Sequence, residues 1–218
     1  MRKLLSLCLV SAAALAASPV LAGEWELSGY GGYQSSPHSD VEVSDQADFT
    51  AGWEGKSFSA PLYWGVRGTY WFENGRLANL GISLDFSHAK VYADDDTLNK
   101  AGWDHFEMTD GINLLTVNAL YRFPIENSRF TPYVGAGIGI NVPHIEVTRN
   151  GRETSEYQFG GMTLQAQAGV KYAITDRWSA FVEYKGNYSF VDVDIDSGAS
   201  LKTDIITNAV NVGVSFKF

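Results

Sequence analysis

Four histidines, His38, His88, His105 and His144, are the residues of this chain best suited to bind a transition metal. Imidazole beside carboxylate suits copper, iron or zinc. A second group is acidic: Asp94, Asp95 and Asp96, followed by Asp104, Glu107 and Asp110, carboxylates of the kind that hold magnesium or calcium. A third is Trp53-Glu54-Gly55-Lys56, where a carboxylate and an amine flank an aromatic ring. Read as one site, Glu54 is a general base working with His38 and His88. Trp53, Lys56 and Arg67 then meet substrate, Lys56 through a phosphate or carboxylate. A divalent or redox-active metal ion has His38, His88, His105, His144, Asp94 and Asp96 to choose from. Each group also has a plainer reading as solvated loop side chains, a surface ion pair beside an interfacial Trp, or lumenal charges that pair with one another.

Other chemistry is excluded. The glycine run Gly135-Ala136-Gly137-Ile138-Gly139 leads into Asn141-Val142-Pro143 and not into a helix, so it is no dinucleotide fingerprint and no nucleotide cofactor is expected. Its small residues let strands pack or curve. Asp192 to Gly198 echoes a calcium loop, but the glycine comes one place late and no helices flank it. Val191, Val193 and Ile195 alternate with aspartates there, as in a strand projecting beyond a membrane. The single cysteine, Cys8, lies in the leader described below, so thiolate ligands and disulfides are not expected in the mature chain. The formal charge is -9, and loss of Arg2 and Lys3 with that leader makes it -11. Such acidity disfavours nucleic acid, whose phosphates it would repel.

The elements that must position these residues show in the hydropathy pattern. Arg2 and Lys3 precede an apolar stretch from Leu4 to Ala17, and Pro19-Val20-Leu21-Ala22 offers a small-residue cleavage site before Gly23. Residues 1–22 are therefore expected to be a signal peptide, and 23–218 one domain. No later stretch approaches eighteen continuous apolar residues, so no membrane helix is expected. Apolar and polar residues instead alternate in segments near 24–34, 60–72, 79–89, 112–123, 131–142, 162–173, 178–190 and 205–218. Three connections are tight: Glu73-Asn74-Gly75-Arg76, Pro124 to Ser128, and Ile174 to Arg177. Four are long, near 35–59, 90–111, 143–161 and 191–204. The pattern is that of an all-β, eight-stranded antiparallel transmembrane β-barrel of the outer membrane. Both termini and the tight turns then face the periplasm, and the long loops, with all four histidines in them or at their edges, face outward.

Parity assigns faces to side chains. Trp25, Leu27, Val66, Ile82, Leu84, Ile138, Ile140, Val182, Val212 and Val214 are among those expected to meet lipid, with Trp25, Tyr172 and Trp178 in an interfacial girdle. Glu26, Arg67, Asp85, Lys171, Glu183, Lys185 and Lys217 point inward. Eight strands leave room only for side chains, so these charges should pair and no open pore should remain.

The run from Thr131 to Ile140, with Gly169-Val170-Lys171-Tyr172, Asp176-Arg177-Trp178 and Val182-Glu183-Tyr184-Lys185, resembles the small outer-membrane barrels of the OmpA/OmpW type. The terminal Phe218 is similar to the aromatic end that barrel-assembly machinery recognises in that group, which implies this machinery as a partner. Tyr30 to Ser39, Phe49 to Phe58 and Leu84 to Asp96 look like the rhizobial lipid A oxidase group. That resemblance implies oxidation of the proximal glucosamine of lipid A to an aminogluconate by dioxygen, at the outer rim and with outer-membrane lipids as partners. Such a two-electron oxidation calls for a redox metal or organic cofactor. A non-enzymatic barrel that stabilises the envelope, or binds ligands or partners through its loops, is the alternative; a small diffusion channel is disfavoured by the charged lumen.

Overall fold

A computed structural model describes residues 23–195 and 198–218. The leader expected over 1–22, residue Asp196 and the side chain of Asp110 lie outside the described part. Eight long strands close a ring: β1 (Gly23–Ser35), β5 (Trp64–Phe72), β6 (Leu80–Ala93), β7 (His105–Arg122), β8 (Phe130–Arg149), β10 (Gly161–Ala173), β11 (Trp178–Ile195) and β12 (Ala199–Lys217). Neighbours in that order pair antiparallel, and β12 returns to β1 with Glu26 opposite Lys217 and Ser35 opposite Asn208. Among the described residues, no helix is long and apolar enough to cross a membrane. The strands do the crossing, because closure pairs every backbone group without exposing an edge.

The expected alternation decides which way each side chain points. Leu27, Val66, Ile82, Leu84, Val117, Ile138, Ile140, Val182, Val212 and Val214 are exposed around the outside, in the manner of a lipid-facing belt. Trp25, Tyr172 and Trp178 lie exposed near the end that carries the termini. Inside, Arg67 donates to Glu183 at 2.7 Å and to Gln167 at 2.5 Å, and its guanidinium lies 3.5 Å from Asp85. Lys185 donates to Asp85 at 2.6 Å, and the Tyr133 hydroxyl donates to Glu183 at 2.8 Å. Lys171 pairs with Glu26, and Lys217 with Glu24 at 3.1 Å. Two buried cations thus face two buried carboxylates across the centre, which offsets the cost of taking each charge out of water. Glycines of the run on β8 allow the close approach of β7: a Cβ on Gly137 would fall 2.2 Å from the Asn118 Oδ1 atom.

Toward the long-loop end the strands run on past the lipid belt, and the interior changes character. Ile112, Leu114, Phe106, Met108, Ile145, Val147, Val191, Val193, Ile195 and Leu201 face inward and are buried. The first long loop folds back into this space as β2 (Ser39–Val43), β3 (Phe49–Ala51) and β4 (Trp53–Glu54), which pair with β12, with β2 and with β6. Val41, Val43, Ala51 and Trp53 complete an apolar plug. Burying each of its valine, leucine, isoleucine, methionine and phenylalanine side chains contributes about 1.5–3 kcal/mol. The plug therefore supports the protruding wall, which has no bilayer to lean on.

The ring has the expected number of strands, with differences at their ends and in the connections. Residues 90–93, 105–111 and 143–149, expected as loop, belong to β6, β7 and β8. A short helix, α1 (Asp95–Ala101), and the hairpin strand β9 (Arg152–Tyr157) occupy the rest of the second and third loops. The second strand begins at Trp64, not at residue 60, and the first tight turn is longer, reaching β6 at Leu80 through a 3-10 turn at Gly75–Leu77.

Candidate functional site on the outer wall of the barrel

The four histidines fall in three places. His38 is exposed on the loop before β2, with its Nε2 atom near the Asp94 carboxylate beside Gly52. Asp94 is the N-cap of α1, accepting from the Thr97 backbone N–H at 2.8 Å and from its hydroxyl at 2.6 Å. Those bonds, the side-chain one first, hold its carboxyl below the usual carboxylate range. Asp96 pairs with Lys100 at 2.8 Å in solvent. These two aspartates, expected as metal ligands, are thus engaged in building and flanking a helix.

His88 is on β6 and has the parity of a lipid-facing residue, yet it is buried. Its Nδ1 atom lies 3.1 Å from the Asn113 Oδ1 atom on β7, its ring stacks against Trp64, and its Nε2 atom is buried without a partner. Gly111 makes this niche possible. Its φ of 106° is closed to most side chains, and a Cβ there would sit 2.4 Å from His88 Nδ1. Beside it, the Lys90 ammonium donates to the carbonyls of Ser59 and Pro61 at 2.7 and 2.6 Å.

The third place joins two histidines. Between Glu107 and Ile112 the register of β7 against β8 shifts in a bulge. Just beyond it, Glu107 stands directly opposite Glu146, and His105 opposite Thr148. Phe106, Ile145 and Val147 fill the plug, so period two sends His105, Glu107, His144 and Glu146 to the outside of the wall. His105 Nε2 lies 3.3 Å from Glu107 Oε2, and His144 Nδ1 lies 3.0 Å from Glu146 Oε1. Tyr157 on β9 flanks His144, with ring centroids 4.5 Å apart. One ligand atom each from His105, Glu107 and Glu146 lie within 4.8 Å of one another. This donor set could close on one ion with small side-chain rotations.

The height of the cluster matters. Ile140, exposed in the lipid belt, precedes His144 by four residues on the same face of β8. At about 3.4 Å per residue and a tilt near 40°, that is roughly 10 Å above the belt, at headgroup level. The cluster therefore faces sideways over lipid, not upward from the barrel mouth.

Two residues expected to meet substrate are buried. Trp53 is buried in the plug, edge-on to Phe106 at 5.1 Å and donating to Ser39 at 2.8 Å. Arg67 is 1% exposed inside the lumen, where its Nη1 atom meets Glu183, Gln167 and Asp85, the contacts of a framework residue. Glu54 and Lys56 form an exposed pair at 3.0 Å, and Lys56 lies over the Tyr92 ring at 4.4 Å. Tyr92 is the cross-strand partner of Glu107, which brings this pair toward the outer-wall cluster. Sequence reasoning passed over Glu107 as one carboxylate of a loop and did not single out Glu146.

A closed eight-stranded ring with an apolar outside, a salt-bridged lumen and a polar cluster above its lipid belt defines an integral membrane barrel. Residues 4–218 match the family model described as outer membrane protein beta-barrel domain, and the chain belongs to that family and to the outer membrane. The outer membrane protein AlkL, solved by solid-state NMR in lipid bilayers, is similar in fold: TM-score 0.53 and 14% identity, with 93% of each chain covered. Neisserial surface protein A gives a TM-score of 0.48 at 18% identity, covering 90% of this chain and 97% of the other. The N-terminal barrel of Pseudomonas aeruginosa OprF gives 0.43 at 17%, covering 90% and 100%. None of the curated proteins matches the chain.

Proposed function

We propose that this barrel is an oxidase of lipid A, acting from its outer wall on the proximal glucosamine of a lipid that approaches laterally. The supporting observation is the outward-facing cluster of His105, Glu107, His144 and Glu146 placed just above a lipid belt. In this reading both termini face the periplasm, the cluster lies level with outer-leaflet headgroups, and the C-terminal strand is the handle for barrel-assembly machinery. The sequence resemblance of the first two long loops to the lipid A oxidases supplies the substrate.

The reaction takes two electrons and two protons from the anomeric carbon and its hydroxyl. The C1–H and O–H bonds break, a lactone carbonyl forms, and dioxygen is reduced to hydrogen peroxide; water then opens the lactone to the aminogluconate. His144 is the group assigned to the hydroxyl proton. A Glu146 carboxylate accepting from its Nδ1–H would leave Nε2 as the basic nitrogen, the arrangement that orients a catalytic imidazole. Lys56, held over Tyr92, would meet a lipid phosphate. A redox-active metal, when bound, supplies the one-electron steps to dioxygen that side chains of this kind lack.

Mass spectrometry of lipid A from a host that expresses the chain and makes lipid A with a free anomeric hydroxyl tests the proposal. A species heavier by one oxygen atom is expected from cells grown in air and not from anaerobic cells. Unchanged lipid A under both conditions would refute it and favour a non-enzymatic envelope barrel.

A further inference from the structure

Two carboxylates, Glu107 and Glu146, stand directly opposite each other across β7 and β8. Like charges directly opposite one another on adjacent strands repel, and a cation held between them relieves that repulsion. Counted with neutral imidazoles, His105, Glu107, His144 and Glu146 carry two negative charges. Lys90 lies close enough to Glu107 to offset part of this, but its ammonium is turned to the carbonyls of Ser59 and Pro61. The same four groups are only partly exposed, so water screens the repulsion incompletely: side-chain exposure is 16% for Glu107 and 28% for Glu146. The β7 bulge sits directly beside the pair, and bulges of this kind re-aim side chains at functional sites.

We infer that this cluster is a binding site for one divalent first-row transition ion, with His105, Glu107 and Glu146 as ligands and His144, hydrogen-bonded to Glu146, beside them. The ligand set is one imidazole nitrogen and two carboxylate oxygens, which suits iron(II), manganese(II), cobalt(II) or zinc(II) and gives no soft donor for copper(I). Ligand atoms within 4.8 Å of one another span little more than the diameter of one such coordination sphere. Three protein ligands leave positions open for small molecules, as catalytic sites require. The site is separate from the His38 and Asp94 pair, which caps a helix on another part of the rim. The inference deepens the oxidase reading by naming what holds its metal, but metal binding can be measured without it.

The test uses the folded full-length barrel in detergent, stripped with chelator and titrated with manganese(II), the free ion being followed by its electron paramagnetic resonance signal. One ion per chain is expected. E107Q and E146Q should each weaken binding at least tenfold, H105A likewise, and H144A less than these, whereas H38A should bind as the parent does. The two glutamine variants remove a repulsion, so they should fold at least as well as the parent, checked by circular dichroism. Absence of stoichiometric binding, or binding that survives in the E107Q/E146Q double variant, would overturn the assignment. Manganese binding with unaltered lipid A would uphold the metal site and defeat the oxidase reading; oxidised lipid A from a chain that binds no metal would do the reverse.

Discussion

At the residue scale, two tripeptides share one pattern: His105-Phe106-Glu107 and His144-Ile145-Glu146. In a strand, positions i and i+2 share a face, so each tripeptide presents imidazole and carboxylate together while burying the apolar residue between. That repeat is the signal by which Glu107 and Glu146 could have been found in the sequence. It stays unread if both segments are taken as loops, where period two means nothing. Gly111 is a second residue whose role rests on geometry. G111A should cost about 1–3 kcal/mol in backbone strain and push His88 from its niche. Urea titration in micelles checks the stability, and a midpoint equal to the parent's would contradict the role assigned to Gly111. Arg67 has the largest expected effect on stability. R67A leaves the Glu183 and Asp85 carboxylates buried without their guanidinium, a loss of about 3–5 kcal/mol in the same assay. A change below about 1 kcal/mol, the range of exposed ion pairs, would mean that water enters the lumen freely.

At the element scale, the membrane-spanning parts of the strands were legible because lipid outside and charge inside impose opposite polarities on alternate residues. Arg67, Asp85, Glu183 and Lys185 could be assigned to one interior from parity alone, and they pair there. The protruding parts were harder to read because that rule reverses above the lipid. Ile112, Ile145 and Val147 turn apolar faces inward to the plug, while His144 and Glu146 turn outward. Alternation survives, but its meaning is inverted. The Val191, Val193 and Ile195 series remained recognisable as strand, since an unbroken alternation there carries on from β11. Helix α1 illustrates a local determinant. Asp94 caps it, Asp95 and Asp96 lie in its first turn, and Gly102 ends it at a φ of 69°. D94A should loosen α1 by about 1 kcal/mol, visible as faster amide hydrogen exchange over 97–101. Because Asp94 titrates below its unfolded value, near 3.9, the stabilisation is complete above that pH and is lost as pH falls through the lower folded value. Protection of the α1 amides, taken relative to their intrinsic exchange rate at each pH, should therefore fall in acid for the parent and stay flat for D94A; identical acid responses would contradict the cap's contribution.

At the scale of the whole molecule, two fillings close one barrel. A salt-bridged lumen lies at the level of the lipid belt, and an apolar plug built from the first long loop lies beyond it. Eight strands leave an interior that side chains fill, so no stable conductance is expected in planar bilayers, and a persistent single-channel current would contradict the closed interior. A barrel closed to passage along its axis leaves its outer wall as the surface that lipid can reach. There, above Ile138 and Ile140, stand His105, Glu107, His144 and Glu146. On the proposed function, lipid A is oxidised on this wall and not at the mouth where His38 lies. The most direct measurement compares lipid A by mass spectrometry from aerobic cells making the parent, the E107Q/E146Q variant or H38A at equal levels of folded barrel. The species heavier by one oxygen atom is expected from the parent and from H38A, and its loss from E107Q/E146Q. Full oxidation by E107Q/E146Q, or its loss only in H38A, would contradict that proposal.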